Sequence, residues 1–393
     1  MQAKIDSSTE SHAMLGDRGQ LSLFGDASLE DPAYLSQQLI TYIGNKRSLL
    51  PRISSAVEQV KKRLKKDKLA TLDAFSGSGV VSRFFKGHST TLHSNDLEGY
   101  AEVVGSCYLT NRSTVDQGEL ERVVRELNRQ VDTCDFARGF IEELYSPADE
   151  NNITRDDRVF YTKENARRLD NYRRLLDEQP ERLKRLLLGP LLSKASVHAN
   201  TAGVFKGFYK NRETQVGQYG GTGADALVRI KGRITLECPI LSRFECRSVV
   251  TKRDANSLAN EVRDLDLAYF DPPYNQHPYG SNYFMLNLLV DYQRPSEISQ
   301  VSGIPTDWKR SDYNVRGKSL SRLTELLERT DSRFLLISFN DEGFIPPAEM
   351  KSMLDRLGRV EVMEIQYNTF RGSRNLSGRA THVTEQLFLV ERN

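Results

Sequence analysis

Short apolar runs that break off abruptly in polar residues recur along this chain, and that rhythm leaves it few architectures. LATLDAF (69–75), TTLHSND (90–96), CRSVVTKRD (246–254), LDLAYFD (265–271) and RFLLISFND (333–341) each carry the signature of a buried strand followed at once by polar residues. Ahead of them, Leu49, Ile53, Val57, Val60 and Leu64 recur at helical spacing between Ser48 and Lys68. That spacing predicts an amphipathic helix with its basic residues facing water. RVEVMEIQY (359–367) and EQLFLVER (385–392) close the chain as an antiparallel pair at the sheet end. Strands interleaved with helices predict an α/β fold: a Rossmann-like, doubly wound, mostly parallel sheet with an antiparallel C-terminal strand. In such a sheet ligands sit beyond the carboxyl ends of the strands, where these polar tips fall.

The rhythm is interrupted between residues 111 and 235. Residues 117–190 read as charged helices, and 198–223 as a loop rich in glycine, asparagine and aromatics. At 393 residues the chain is long enough for one large α/β domain carrying such an inserted module. The expected division is a mostly disordered leader over 1–35, a sheet domain from 36–110 and 236–393, and an insertion over 111–235. No apolar run reaches membrane-spanning length and the N-terminus lacks the apolar core of a secretory signal, which predicts a cytoplasmic protein. Cys107, Cys134, Cys238 and Cys246 are scattered, and no metal-ligand spacing is visible, so reduced thiols and no metal are expected. A net charge of +2 does not announce a nucleic-acid partner. The basic clusters at 61–68, 167–168, 173–174 and 182–185, taken singly, read as solvated helix faces.

The first strand runs into DAFSGSGVVSRFF (73–85), a turn that enters a helix. Gly77 and Gly79 allow the tight backbone and the close approach of a ligand that a nucleotide-type site requires. Asp96, at the tip of the next strand, is placed to accept hydrogen bonds from ribose hydroxyls. Ser82 stands where a dinucleotide fingerprint needs its third glycine, and no Gly-Lys-Ser/Thr follows, so neither a nicotinamide site nor a P-loop is indicated. An ordinary capped strand–turn–helix is the alternative reading.

LAYFDPPYN (267–275) carries the most chemistry. Asp271 ends a strand, Pro272 and Pro273 fix the backbone and remove two amide donors, and Tyr274 follows. An amino group between the Asp271 carboxylate and the Pro272 carbonyl would be held by two acceptors, its nitrogen lone pair directed at an electrophile. Tyr274 offers a flat face for a planar base. The alternative is a strand ending in a Pro-Pro turn, with Tyr274 as a packing residue.

Taken in order, these segments resemble the N6-adenine DNA methyltransferases of bacterial restriction–modification systems, over roughly residues 38–393. In the matching group the cofactor motif comes first, the target-recognition region second and the catalytic motif last. The resemblance implies S-adenosylmethionine as cofactor and double-stranded DNA as substrate, with a cognate restriction endonuclease as a functional partner. TYIGNKRSLLP (41–51) matches the segment that folds over the methionine end of the cofactor, which brings in Tyr42, Gly44 and Lys46. Asp73, Phe75, Gly77 and Gly79 match the main cofactor motif, Asp96 the ribose acid, and Asp254 the acid beside the cofactor adenine. Asp271, Pro272, Pro273 and Tyr274 match the catalytic motif in full. By this resemblance the inserted region 111–235 is the target-recognition region.

The implied reaction rotates an adenine out of the duplex and methylates its amino group without a covalent protein intermediate. GVFKGFYKNR (203–212) interleaves Phe205, Phe208 and Tyr209 with Lys206, Lys210 and Arg212, a pattern for phosphate contact with aromatic wedges or for core anchors under a loop. Arg371 and Arg374 around Gly372 suit a backbone-clamping loop or an exposed hairpin turn. His277 and Tyr279 either line the base pocket or serve structure. The alternatives are methylation of cytosine N4, which Asp271 disfavours, and a non-catalytic DNA-binding module on the same fold.

Overall fold

The computed structural model describes residues 30–221, 225–340, 343–368 and 382–393. Seven strands form one sheet: β1 (Leu69–Asp73), β2 (Ser89–Asp96), β3 (Arg247–Lys252), β4 (Leu265–Phe270), β5 (Ser332–Asn340), β6 (Gly358–Asn368) and β7 (His382–Arg392). Their order is β3-β2-β1-β4-β5-β7-β6, parallel from β3 to β5, with β7 antiparallel to both β5 and β6. Every strand expected from the apolar runs is present, and the closing pair is antiparallel as expected.

In β4, β5 and β7 the continuous apolar runs follow from burial on both faces, whereas β3, at the sheet edge, has no buried residue, contrary to the buried strand expected from 246–254. Leu267, Tyr269, Phe334, Leu336, Leu387 and Leu389 pack on one face against helices α1 (Leu50–Leu64) and α2 (Val80–His88). Their alternates Ala268, Phe270, Leu335, Ile337, Phe388 and Val390 pack on the other. There they meet α8 (Arg316–Arg329) and α9 (Pro347–Asp355). A strand covered on both faces has no polar side to show, so period-two alternation disappears from its sequence.

The intervening helices are α3 (Gly99–Tyr108), α4 (Gln117–Thr133), α5 (Lys163–Asp177), α6 (Glu181–Val197) and α7 (Phe284–Asp291). Charged helices over 117–190 are therefore present, and they share one apolar core with α3 and α7. The solvated-face reading fails at Arg168 and Arg173, which are buried. Arg168 donates to the Ile234 carbonyl and pairs with Asp132. Arg173 donates to the carbonyls of Leu289 (2.6 Å) and Val290 (3.0 Å) at the end of α7 and pairs with Asp177. A guanidinium is the side chain suited to this task, because its planar fork matches several acceptors and it caps the negative end of a helix. In the 61–68 cluster, Arg63 reaches Glu361 and Glu391 at the sheet edge and Lys66 pairs with Asp266.

Residues 30–35, counted above with the leader, are packed: Tyr34 and Leu35 are buried, and Arg83 donates to the Tyr34 carbonyl. Two apolar side chains within one short helical turn, Ala33–Ser36, were too brief a signal against the polar residues preceding them. All four cysteines are free thiols. No helix of the described residues is long and apolar enough to cross a membrane.

Arg173→Met removes two carbonyl-directed bonds from a buried cation. Each hydrogen bond to a charged group contributes about 1.5–3 kcal/mol, so the variant is expected to lose several kcal/mol in urea unfolding. A change below about 0.5 kcal/mol, typical of an exposed site, would show that the guanidinium does not tie α5 to α7.

Candidate functional site

The carboxyl ends of β1, β2, β3 and β4 converge on one cleft. It is lined by Phe75, Asp96, Asp254 and Asp271 among others, so polar tips expected to gather at one edge of the sheet do gather there. Each comes from a strand end, and the parallel register fixes their spacing: Asp73 lies opposite Ser94 on β2 and opposite Tyr269 on β4.

The glycine turn folds over the end of β2. Ser76 N–H donates to the Asn95 carbonyl (2.8 Å) and Gly77 N–H to Asp96 Oδ2 (2.8 Å). Gly77 and Gly79 have φ of +48° and +76°, the left-handed region that glycine occupies at no steric cost. A Cβ at Gly77 would also lie 2.8 Å from the Tyr42 hydroxyl, closer than atoms tolerate. Asn95 is buried and ties three strand ends: its Nδ2 donates to the carbonyls of Ala74 and Arg253, and its Oδ1 accepts from Thr251.

Asp96 accepts one backbone N–H on each oxygen, from Gly77 and from Glu98 (3.0 Å). That leaves lone pairs on both oxygens for a bidentate ligand. Burial still pushes its carboxyl above the usual range, and the same cause lifts Asp73 to about 7. Asp73 accepts from Ser82 on Oδ2, while Oδ1 is buried without a partner among the described residues. Asp254 uses Oδ1 to cap the short helix Ala255–Leu258, through Ser257 N–H at 3.0 Å, and to pair with Arg322. Phe75 meets Tyr313 edge to face at 5.2 Å, forming an aromatic wall.

Tyr42, Tyr279 and Tyr283 form a near-parallel cluster: the Tyr42 ring centroid lies 5.1 Å from Tyr279 and 4.8 Å from Tyr283, those two lie 6.1 Å apart, and all planes are within 15° of parallel. Its hydroxyl is 3.1 Å from that of Tyr100. Ile43 N–H donates to the Tyr283 hydroxyl and Tyr279 donates back to the Ile43 carbonyl, which locks residues 41–45 against the base of α7. Tyr279 lines the cleft, whereas His277 is exposed and 3.2 Å from Lys206.

Lys46, expected with the cofactor segment, does not line the cleft. Its ammonium is buried between two carboxylates, 3.2 Å from Asp271 and 2.6 Å from Glu385. It also lies 6.0 Å from the centroid of Tyr274, whose ring meets Phe339 edge to face. No donor among the described residues is hydrogen-bonded to the Pro272 carbonyl. Pro273 shares the cleft wall with Asp271.

In the 203–212 loop the two readings separate by residue. Phe205 and Phe208 are buried against Phe160, and Phe205 also against Phe284, so these two rings are core anchors and not wedges. Lys206 and Arg212 are exposed, while Lys210 lies over the Phe208 ring at 5.0 Å. Arg371 and Arg374 lie outside the described residues. Among those residues, no group of three or more His, Cys, Asp or Glu is placed to hold a metal ion.

Sequence reading missed Glu98, Lys309, Ser311, Tyr313 and Asn314, which line the cleft, and Glu385 beneath it. Glu98 is buried, accepts from Asn287 and is lifted to about 7 by burial. An acid two positions past Asp96 was the available signal for it; the 309–314 segment carries none.

The family model described as D12 class N6 adenine-specific DNA methyltransferase matches residues 42–353. The type II methyltransferase M.NlaIII of Neisseria lactamica is 25% identical over 362 residues, covering 90% of this chain and 99% of that protein. M.CviAII of Paramecium bursaria Chlorella virus 1 is 27% identical, covering 89% and 98%. The modification methylase StsI of Streptococcus sanguinis is 26% identical, covering 89% of this chain and 52% of that larger protein.

Gly77→Ala places a side chain in left-handed backbone, at a cost of about 1–2 kcal/mol, and against Tyr42. Thermal unfolding should detect that loss, with weakened binding in the cleft. A variant as stable as the parent would contradict the turn geometry.

Proposed function

The chain belongs to the D12 class of N6 adenine-specific DNA methyltransferases, and from that membership we propose how its cleft works. The methyl donor is S-adenosylmethionine, and the residues of the cleft fit it. The cofactor is cationic at its sulfonium and amino groups, and the cleft presents Asp96, Glu98, Asp254 and Asp271. Asp96 retains acceptor capacity on both oxygens for two ribose hydroxyls, and Asp254 Oδ2 is left to accept from an adenine amino group. Phe75 and Tyr313 supply the aromatic wall. Tyr42, Gly44, Gly77 and Gly79 shape the turn and strap beside it, and Asp73 contributes a buried carboxylate oxygen that has no hydrogen-bond partner among the described residues. When bound, the cofactor supplies an electrophilic methyl group.

The chain's own residues orient the target. The Asp271 carboxylate and the Pro272 carbonyl accept the two N–H groups of the adenine amine, so that the lone pair is held for attack. Pro273 fixes the peptide that carries the Pro272 carbonyl and Tyr274 stacks on the base, its ring braced by Phe339. The observation that carries this reading is that Asp271 and Pro273 share one cleft with Asp96, Asp254 and Phe75. The family acts on adenine N6, which decides against the cytosine N4 alternative.

Residues 111–235 act as the target-recognition region between sheet segments 36–110 and 236–393. Lys206, Lys210 and Arg212 lie on a loop that reaches the catalytic side through Lys206 and His277, a position suited to phosphate contact. Arg371 and Arg374 are assigned the same role from sequence alone. The substrate is double-stranded DNA read at a specific site. Relatives named as type II methyltransferases and modification methylases support a role beside a restriction endonuclease.

Asp271→Ala should cut single-turnover methyl transfer on the order of 10²-fold or more, the scale of a misplaced reacting group, with cofactor affinity nearly unchanged by calorimetric titration. Turnover at the parent rate would refute the role given to Asp271. Tyr274→Ala should lose about 1–3 kcal/mol of base stacking, while Tyr274→Phe keeps most of it. Equal losses in the two variants would contradict stacking.

A further inference from the structure

We propose that Glu385, on the closing strand β7, is a positioning residue for methyl transfer. Through Lys46 it fixes the Asp271 carboxylate and sets the pH range in which that carboxylate accepts the adenine amine. The inference rests on the reading of Asp271 given above. Glu385 lies beyond the residues 42–353 that match the family.

The geometry is that of one cation shared by two acids. Lys46 Nζ lies 2.6 Å from Glu385 Oε1 and 3.2 Å from Asp271 Oδ1, and the Lys46 and Glu385 side chains are 5% and 1% exposed. Glu385 is itself fixed by a hydrogen bond from the Ser338 hydroxyl on β5 and sits opposite Asn340 in the antiparallel register. A single rigid sheet position therefore determines where the ammonium stands, and the ammonium determines where Asp271 Oδ1 points. A buried pair of this kind is poor evidence for a stabilising role, since well-packed apolar residues of similar volume are often as stable.

The same arrangement acts on the ionisation of Asp271. Burial pushes its carboxyl up, Lys46 pulls it back, and Glu385 pushes it up again. The other groups facing it are Asp96 from β2, Asp73 from β1, Tyr269 from β4, and Tyr279 past the catalytic motif. Among the described residues named here Lys46 is the cation that bears on Asp271, and it is shared between the two acids. Neutralising Glu385 leaves Lys46 to Asp271 alone, and the carboxylate then persists to lower pH. Removing Lys46 has the opposite effect.

The test is the pH dependence of single-turnover methyl transfer in the full-length parent, Glu385→Gln and Lys46→Met, with cofactor titration as the check on folding. The rate requires the Asp271 carboxylate, so it falls as pH drops through the pKa of that group in the complex. For Glu385→Gln the acid limb should move down by about one pH unit or more, the scale of a neighbouring charge, with the plateau rate reduced at least about tenfold by the lost anchor. For Lys46→Met the limb should move up. Limbs that stay put or move together, or a Glu385→Gln plateau equal to the parent, would overturn the inference. So would loss of cofactor binding as the only effect of Glu385→Gln. An inactive Asp271→Ala beside an unchanged Glu385→Gln would sink this inference alone. A fully active Asp271→Ala would sink the reading beneath it.

Discussion

The order of the parallel strands is the constraint on which the site depends. β1 lies between β2 and β4, so the glycine turn after β1, Asp96 after β2 and the Asp-Pro-Pro-Tyr segment after β4 emerge side by side. Ala74 N–H donating to the Tyr269 carbonyl carries that adjacency one residue past the end of β1. Side-chain bonds then hold the loops: Asn95 joins the ends of β1, β2 and β3, and Asp96 accepts the Gly77 amide. No loop in this region needs its own apolar core, because each is secured within a residue or two of a buried strand.

A second constraint comes from the ends of the sequence. Lys46 precedes the first strand and Glu385 sits in the last, yet both stand against Asp271 at the end of β4. The antiparallel β7 makes this possible, since its N-terminal half runs alongside the carboxyl end of β5. The tyrosine cluster does similar work on the other flank, where Tyr279 and Tyr283 pack against Tyr42 and hold the strap of residues 41–45 beside the cleft. The Asp271 carboxylate and the Pro272 carbonyl are thus carried by rigid elements, the condition the proposed amine clamp requires.

The sheet and much of the site were legible because they depend on local pattern. Doubly buried strands write themselves as apolar runs, and a turn in left-handed backbone requires Gly77 and Gly79. What escaped depends on partners distant in sequence. Nothing about Arg168 or Arg173 distinguishes a buried guanidinium from a solvated one until the carbonyls of Ile234, Leu289 and Val290 are brought to them. Phe205 and Phe208 alternate with cations in a way that suits DNA contact, and only the position of Phe160 makes them core. Lys46 was legible as a site residue but not its pairing, because nothing in the sequence of β7 marks Glu385, one of its two acids, as the partner of a lysine about 340 residues earlier.

The central claim is that this cleft holds an adenine amine against the Asp271–Pro272 acceptors for methyl transfer. Its most direct test is nucleoside analysis by mass spectrometry of duplex DNA incubated with the purified protein and isotope-labelled S-adenosylmethionine. Label is expected in N6-methyladenine. Label in N4-methylcytosine, or no transfer to DNA by a folded protein that binds the cofactor, would contradict it.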